Sequence, residues 1–269
     1  MTLLAHLSDL HLLEADHGGR RGLARRRLAY LSAGRSHDAA DRRRRALAAL
    51  VRARRSGADH VLVTGDLTED GIGAQFEVLA EVLHESGLAA DRVTLLAGNH
   101  DAYDAPDAFA RALAGPLAAY AATSTPGVPI VLDDATVLPM STAVSQPYTL
   151  STGALERPAL DGAAALGREG KRGQRALVLA MHHPPQRLQN PVMQWFDGFR
   201  DHLAMGQILE EHDELHVLHG HLHEQTNRGV RPGATPRIFG IDAVVTGDTP
   251  VRCYRAAYGR LSPVQAVTA

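Results

Sequence analysis

Carboxylates, an amide and imidazoles stand directly after five apolar stretches of the chain, and all of these groups bind divalent metals. The five clusters are Asp9-Leu10-His11, Gly65-Asp66, Gly98-Asn99-His100-Asp101, His182-His183-Pro184-Pro185 and Gly220-His221-Leu222-His223. Oxygen and imidazole donors suit manganese, iron or zinc, and the clusters contain no thiolate for a cysteine-type structural zinc site. Because the donors exceed what one ion needs, they favour two divalent ions that share a carboxylate.

The last cluster lies in "LHGHLHEQ", where histidines occupy alternate positions 219, 221 and 223. On a β-strand, residues i and i+2 point to the same side. His221 and His223 could therefore aim at one point just beyond a strand end. A polar strand edge would show the same alternation, so this segment alone leaves a metal site and a structural edge open.

Each of the other clusters also has an ordinary structural explanation. Asp9 could cap a helix, His182 could be a buried histidine with hydrogen-bond partners, and Gly98 could be required by a turn. A metal site is therefore predicted from all five clusters together, since each follows a predicted strand.

The elements that must position these clusters are short apolar strands separated by helices. β-rich runs predict strands over 2–8, 60–64, 92–97, 175–181 and 215–218. Helical spacing predicts helices over 41–55, 73–85, 105–122 and 199–212. Such alternation indicates an α/β layered domain, in which polar groups gather beyond the carboxyl ends of the strands.

Two further regions have the pattern of short strands and indicate a second sheet. They are 129–144, with a hairpin that turns at Asp133-Asp134, and 237–258. We therefore expect two sheets packed together. We find no internal repeat or linker, so we predict a single domain over 1–269 with an arginine-rich helical insertion at about 18–55.

The composition is that of an ordinary globular protein. The 269 residues are 45% hydrophobic and 22% charged, and the net charge is -2, which argues against nucleic acid as an obligate partner. Cys253 is the only cysteine, so an intrachain disulfide is excluded. The first residues lack a basic region and a cleavage site, and no run approaches the roughly 18 apolar residues of a membrane span. These features predict a cytoplasmic protein.

The ordered motifs D-x-H, GD, GNHD, H-x-P and GH-x-H resemble the signature of the calcineurin-like metallophosphoesterases. The resemblance runs from Asp9 to His223, most of the chain. It implies an α/β fold built as a four-layer αββα sandwich, with two mixed β-sheets flanked by helices. It also implies a metal-dependent phosphoric ester hydrolase with two divalent metal ions, such as manganese, iron or zinc.

The resemblance further implies seven metal ligands divided between two ions. The first ion would take Asp9, His11 and His223, the second would take Asn99, His182 and His221, and Asp66 would bridge them. His219 would then have a structural or supporting role.

The resemblance makes His100 the catalytic acid or transition-state stabiliser, and Asp101 could orient its ring. Two divalent ions, two aspartates and one hydroxide would leave the site near a charge of about +1, which attracts an anionic phosphate ester. Hydroxide activated by both metals would attack phosphorus in line with the leaving group.

Differences between these motifs and those of related phosphatases narrow the choice of substrate class. The stretch "GDLTEDG" (65–71) and "GNHD" differ from the "GDxVDRG" and "GNHE" of protein phosphatases, and Glu69 stands where purple acid phosphatases have tyrosine. The motifs look most like bacterial cyclic-nucleotide phosphodiesterases, whose members are often promiscuous. We therefore expect a phosphodiesterase that acts on a cyclic nucleotide or another small diester.

The insertion at 18–55 contains 13 arginines, among them Arg25 and Arg26, which we take as candidates for substrate contact. This segment could bind anionic lipid and hold the protein at the inner face of the membrane, or it could be a solvated helix face. The first interpretation favours a lipid-linked pyrophosphate, as in the UDP-diacylglucosamine hydrolases of the same superfamily.

Two further candidates for substrate contact lie beyond the fourth strand. They are His183 and Trp195, the latter within "NPVMQWFDGF" (190–199), which could form an apolar wall or supply core aromatics. Some proteins of this fold act as non-catalytic scaffolds after losing metal ligands. Every expected ligand position is filled here, so a scaffold is only a minor alternative function.

Overall fold

Two β-sheets pack face to face in the computed structural model, which describes residues 1–170, 174–247 and 250–264. The strands are β1 (Thr2–Leu7), β2 (His60–Thr64), β3 (Val93–Leu96), β4 (Ile130–Val131), β5 (Ala135–Pro139), β6 (Ala176–Ala180), β7 (Leu215–His219), β8 (Thr226–Arg228), β9 (Ile238–Gly240), β10 (Arg252–Ala257) and β11 (Arg260–Val264).

Helices lie outside both sheets. They are α1 (Gly22–Leu31), α2 (Ala39–Arg55), α3 (Gly73–Ser86), α4 (Ala108–Ala114), α5 (Ala121–Ser124), α6 (Arg157–Gly170), α7 (Pro191–Asp197) and α8 (His202–Glu211), with short 3-10 helices at His17–Gly19, Ala90–Arg92, His100–Ala102 and Ala118–Tyr120. None of the described helices combines the length and apolarity needed to span a bilayer.

Both sheets are mixed, as predicted. The first has the order β11-β10-β1-β2-β3, and its strands β1, β2 and β3 are parallel. The second has the order β4-β5-β6-β7-β9-β8, and β5, β6, β7 and β9 are parallel. The parallel strands in each sheet bring the polar clusters that follow them to one edge.

Three apolar clusters hold the four layers together. One lies between the sheets and contains Leu4, Leu62 and Val178. Another joins the first sheet to α2, α3 and α4, and the third joins the second sheet to α6 and α8. The predicted αββα sandwich is therefore confirmed.

The predicted helix over 105–122 is wrong as a single element. The chain forms α4, a 3-10 helix at Ala118–Tyr120 and α5 instead. Pro116 explains the break, because proline disfavours helical geometry at the residue before it and has no N–H for a helical hydrogen bond. Helices α6 and α7 were not predicted, whereas the five strands before the polar clusters were.

Two buried histidines at the far ends of the strands from these clusters predict an acid-sensitive fold. Burial lowers the pKa of His60 and of His216 to about 4. An unfolded histidine has a pKa of about 6.5, so below that pH the unfolded chain takes up protons that the folded chain does not. Stability should fall between pH 6.5 and 4, by roughly 2 kcal/mol per ring at about pH 5.

Urea unfolding at about pH 7.5 and about pH 5 measures this effect. His60→Gln should lose less stability on acidification than the parent, because glutamine can still pair with Thr94, the partner of His60 at 2.7 Å. His84→Gln changes an exposed ring on α3 and serves as the matched control. Equal acid sensitivity in all three proteins would contradict the assignment.

Candidate metal centre

The loops that follow β1 and β2 run side by side. Asp9 N–H donates to the Gly65 carbonyl at 3.0 Å, and His11 N–H donates to the Asp66 carbonyl at 2.9 Å. These bonds continue the parallel pairing of the two strands past their ends. Asp9, His11 and Asp66 are therefore placed together by the backbone.

The predicted ligands hold unusual backbone conformations. Among the described residues, positive φ angles at non-glycine positions occur at Asp9, His11, Asp66, His221, His223 and Tyr258. All of these except Tyr258 belong to the predicted ligand set. Non-glycine residues rarely adopt this conformation because it is strained, and such residues cluster at functional sites.

Two glycines allow the loops to approach one another closely. A Cβ atom at Gly98 would lie 2.2 Å from Asp66 Oδ1 and 2.4 Å from Asp66 N. A Cβ atom at Gly220 would lie 1.8 Å from Ser8 Oγ and 2.6 Å from Asp9 Oδ2. The glycines in the GNHD and GH-x-H motifs thus leave the space that the aspartates occupy.

The residues predicted to bind the first ion converge in space. Ligand atoms of Asp9, His11 and His223 all lie within 4.8 Å of one another. His223 Nε2 lies 3.3 Å from Asp9 Oδ1. The other ring nitrogen of His11, Nδ1, lies 3.4 Å from the Glu69 carboxylate, which leaves Nε2 as the inward-facing atom.

Two of the residues predicted to bind the second ion, His182 and His221, lie together, and His183 belongs to the same cluster. His182 Nε2 lies 3.3 Å from Asp66 Oδ2, while Nδ1 pairs with the Thr64 carbonyl at 2.7 Å. Ligand atoms of His182 and His221 belong to one cluster within 4.8 Å. Asn99 Nδ2 donates to the Tyr103 hydroxyl at 2.9 Å, which leaves the amide oxygen of Asn99 without a partner among the described residues.

Asp66 lies between the two groups. Its Oδ2 is 3.6 Å from His11 Nε2 and 3.3 Å from His182 Nε2, so one oxygen faces a ligand of each predicted ion. Its Oδ1 accepts a hydrogen bond from His100 N–H at 3.0 Å. This is the arrangement that a bridging carboxylate requires.

The electrostatics of the cluster favour bound positive charge. Burial opposes protonation of His182, but the Asp66 carboxylate outweighs burial and raises the pKa of His182 to about 9. Asp9 raises the pKa of His223 against burial in the same way. Burial lowers the pKa of His11 and of His221 to about 3, so both rings are neutral, which is the form that binds metals.

Several buried polar atoms of the cluster have no hydrogen-bond partner among the described residues. They include Asp9 Oδ1, Asn99 Oδ1 and His182 Nε2. A buried polar atom without a partner is costly, and a coordinated cation would satisfy all three. The donor set, its charge and these unpaired atoms fit two divalent cations.

A profile of calcineurin-like phosphoesterases matches residues 2–225. The chain belongs to the calcineurin-like phosphoesterase family. Members of this family use a dinuclear divalent metal site, and the histidine and aspartate clusters described above could hold such ions. Family membership also indicates a metal-dependent hydrolase of phosphate esters.

Solved structures show the same fold. A dimetal phosphatase from Danio rerio is 12% identical, with a TM-score of 0.68 over 95% of this chain and 93% of the other. The protein TT1561 of Thermus thermophilus is 14% identical, with a TM-score of 0.54 over 98% of both chains. No protein with a curated description matches the chain.

His100, the predicted acid of this phosphoesterase, is oriented by a backbone carbonyl. Its Nδ1 pairs with the Glu69 carbonyl at 2.6 Å, so Nε2 faces the cluster, 3.9 Å from Asp66 Oδ2. Asp101 was expected to orient this ring, but its carboxylate accepts instead from Leu67 N, Thr68 N, Thr68 Oγ1 and Gly98 N. Asp101 therefore ties the GNHD loop to the loop after β2.

Glu69 is a site residue that sequence reasoning missed. Its carboxylate lies 3.4 Å from His11 Nδ1, and its carbonyl holds His100. Arg35 and Arg42 from the insertion pair with the same carboxylate, and Arg35 also lies 3.2 Å from His11 Nε2. The phosphoesterase thus uses arginines of the insertion to hold a carboxylate behind a predicted ligand, a common supporting arrangement in metal sites.

Tyr103 is a second residue that motif reasoning missed. Its hydroxyl accepts from Asn99 and donates to the Leu150 carbonyl at 2.7 Å, and its ring lies 5.2 Å from that of His100. Its position four residues after Asn99 is the only sequence signal, and that spacing alone identifies no partner.

The candidate substrate contacts lie in different environments. Arg25 and Arg26 are exposed on α1, and Trp195 is 65% exposed on α7. His183 is buried, and its ring nitrogens pair with Thr142 Oγ1 at 2.7 Å and with the Ser151 carbonyl at 2.9 Å. His183 therefore fixes the loop that contains Ser151.

Proposed function

We propose that this phosphoesterase is a phosphodiesterase that hydrolyses a small diester such as a cyclic nucleotide. The observation that carries the proposal is the convergence on Asp66 of two ligand groups, with His100 beside them. Two divalent ions, two aspartates and one hydroxide give the site a charge of about +1, which the single negative charge of a diester would neutralise. A monoester would bring a second negative charge for which the site has no compensating cation.

The arginines nearest the site do not change this balance. Arg20 and Arg27 pair with buried Asp70, and they also pair with Glu14 and Asp104 respectively. Arg35 and Arg42 pair with buried Glu69. Their charges are thus partly cancelled before a substrate arrives. A phosphate monoester, with its second negative charge, would find little surplus cation in this part of the site.

Metal ligation in the proposed enzyme would use Asp9, His11 and His223 on one side of Asp66, and Asn99, His182 and His221 on the other. Bound cations would supply Lewis-acid stabilisation of charge on the phosphoryl oxygens. The protein supplies orientation, because Thr64 fixes His182 and Tyr103 fixes Asn99, while the Glu69 carboxylate lies 3.4 Å from His11 Nδ1. Side chains held this way need little rearrangement during the reaction.

Proton delivery is the role we assign to His100. The Glu69 carbonyl accepts the Nδ1 proton, so a second proton on Nε2 can pass to the departing oxygen. The neutral ring that remains keeps its bond to Glu69. Asp101 would act as a positioning residue, because its four accepted hydrogen bonds keep His100 and Asn99 next to Asp66.

The test compares bis(p-nitrophenyl) phosphate with p-nitrophenyl phosphate, using protein stripped of metal and refilled with manganese. We expect kcat/KM to be at least about tenfold higher for the diester, because of the charge match. The same preparation carrying Asp66→Asn controls for a contaminating phosphatase. A higher kcat/KM for the monoester would reject the diesterase proposal while leaving a metal-dependent phosphatase.

A lipid-linked pyrophosphate is the second candidate substrate. The observation that favours it is the set of exposed apolar side chains on α1 and α7. Both helices lie near the candidate metal centre, because Arg27 of α1 contacts the Tyr103 carbonyl and the Asp197 carbonyl of α7 pairs with His221. Turnover of such a substrate, with none of cyclic nucleotides, would favour this alternative.

A further inference from the structure

Helix α7 presents four large apolar side chains to solvent. The exposed fractions are 61% for Val192, 44% for Met193, 65% for Trp195 and 39% for Phe196. The helix is locally ordered, because the Asn190 side chain accepts from Val192 N and Met193 N at its start. An ordered group of exposed apolar residues marks an interaction surface.

Helix α1 carries a matching exposed face. Leu23 is 78% exposed and Tyr30 is 54% exposed. They lie seven residues apart, which puts them on the same side of a helix, with Arg26 between them. Arg21 and Arg25 are also exposed.

The two helices contact the same loop, residues 148–151. The Tyr30 ring lies 5.5 Å from that of Tyr148, and Ser151 N–H donates to the Phe196 carbonyl at 2.8 Å. The loop from 148 to 151 therefore links α1 to α7. The end of α7 also reaches the candidate metal centre, because the Asp197 carbonyl pairs with His221 Nε2 at 2.9 Å. We call this face the mouth surface: Leu23 and Tyr30 of α1 with Val192, Met193, Trp195 and Phe196 of α7.

Several arginines lie around the mouth surface, and exposed Asp104 lies there too, paired with Arg27 of α1. Exposed arginines flank both helices, at 21, 25 and 26 on the α1 side and at 187 and 200 on the α7 side. The whole chain has a net charge of -2, so this basic region is a local asymmetry. Aromatic and aliphatic side chains bordered by arginines match the boundary between the headgroups and acyl chains of an anionic bilayer.

We propose that the mouth surface docks on an anionic phospholipid bilayer, with Trp195 and its apolar neighbours in the interfacial region and the arginines against the headgroups. Docking in this way would turn the side of the candidate metal centre next to α7 toward the membrane. The inference concerns binding and does not depend on which phosphate ester is cleaved.

The chain contains a single tryptophan, so intrinsic fluorescence reports directly on the mouth surface. We expect vesicles of phosphatidylcholine with about 30% phosphatidylglycerol to shift Trp195 emission to shorter wavelength and to protect it from acrylamide. Vesicles of phosphatidylcholine alone should bind at least about tenfold more weakly, and about 0.5 M salt should weaken the anionic binding.

Paired variants separate the two parts of the surface while retaining the tryptophan. Val192→Ser with Met193→Ser, and Arg25→Glu with Arg26→Glu, should each raise the vesicle Kd at least about tenfold. The controls change one exposed valine and one pair of exposed arginines at the other end of the strands: Val131→Ser on β4, and Arg52→Glu with Arg55→Glu at the end of α2. They should stay within about twofold of the parent.

Three results would overturn the proposal. The first is unchanged emission with anionic vesicles. The second is equal weakening by the control variants, which would indicate non-specific charge attraction. The third is a shift in emission that depends on protein concentration without vesicles and disappears in the α7 variant, which would show that a second copy of the chain covers the mouth surface.

Discussion

Replacing Asp66 with asparagine should lower diester turnover by at least about a thousandfold and weaken cation binding on both sides of the cluster. Asp66 Oδ2 faces both His11 and His182, so one oxygen serves both predicted ions. The amide keeps an oxygen of similar shape but loses the charge.

The same substitution should leave the fold in place. An asparagine oxygen can still accept the bond from His100 N–H that Asp66 Oδ1 accepts at 3.0 Å. We therefore expect an unchanged circular dichroism spectrum and a metal content that falls from about two ions per chain to one or fewer after gel filtration. Asp16→Asn alters an exposed aspartate and is the matched control. Full activity with two bound ions in Asp66→Asn would reject the bridging role.

The candidate ligands could be predicted from the sequence because each stands in a recognisable local context. An apolar strand ends, a glycine or a polar residue follows, and the chain turns at the same edge of the sheet. Asp9, Asp66 and His221 adopt positive φ angles, so the direction of each turn is set by the ligand residue itself. Sequence reasoning could place these side chains at one edge, but the distances between them needed the register of both sheets.

The arginine-rich insertion shows what sequence reasoning could not resolve. The exposed arginines on α1 and the buried Arg42 look the same in composition. Buried Arg42 pairs with Glu69, which lies 27 residues further along the chain. Only the packing of α2 over the loop after β2 brings these two residues together. Both interpretations of the segment, as lipid-binding or as solvated, concern exposed arginines. Neither describes buried Arg42.

The same reasoning explains the error about Asp101. A carboxylate next to a catalytic histidine in the sequence is an obvious partner for its ring. Neighbouring residues on a tight turn point in different directions, however, and Asp101 turns toward the loop after β2, while His100 turns toward Glu69. The direction of each side chain is set by contacts between two loops, and the spacing of residues within one motif does not reveal these contacts.

Arg42→Met should lower the free energy of unfolding by about 3–5 kcal/mol, which is the usual effect of removing one partner of a buried ion pair. Arg42 is fully buried and donates to the Ser36 and His11 carbonyls at 2.6 and 2.8 Å and to Ser32 Oγ at 3.1 Å. Methionine fills similar space but has no donors. Glu69 would keep only the partly exposed Arg35 as a cationic partner.

Urea unfolding measures the loss, and Arg43→Met on the same helix is the matched control. Arg43 pairs with Glu85 at 2.7 Å on the surface, where an ion pair contributes less than about 1 kcal/mol. Because Glu69 also holds His11, we expect Arg42→Met to weaken cation binding at temperatures where the protein is still folded. Equal stability of the two variants would show that Glu69 does not depend on Arg42. Lower stability of Arg42→Met with unchanged cation affinity would show that Arg42 stabilises the fold without supporting metal binding. Arg35 would then be the residue that positions Glu69 behind His11.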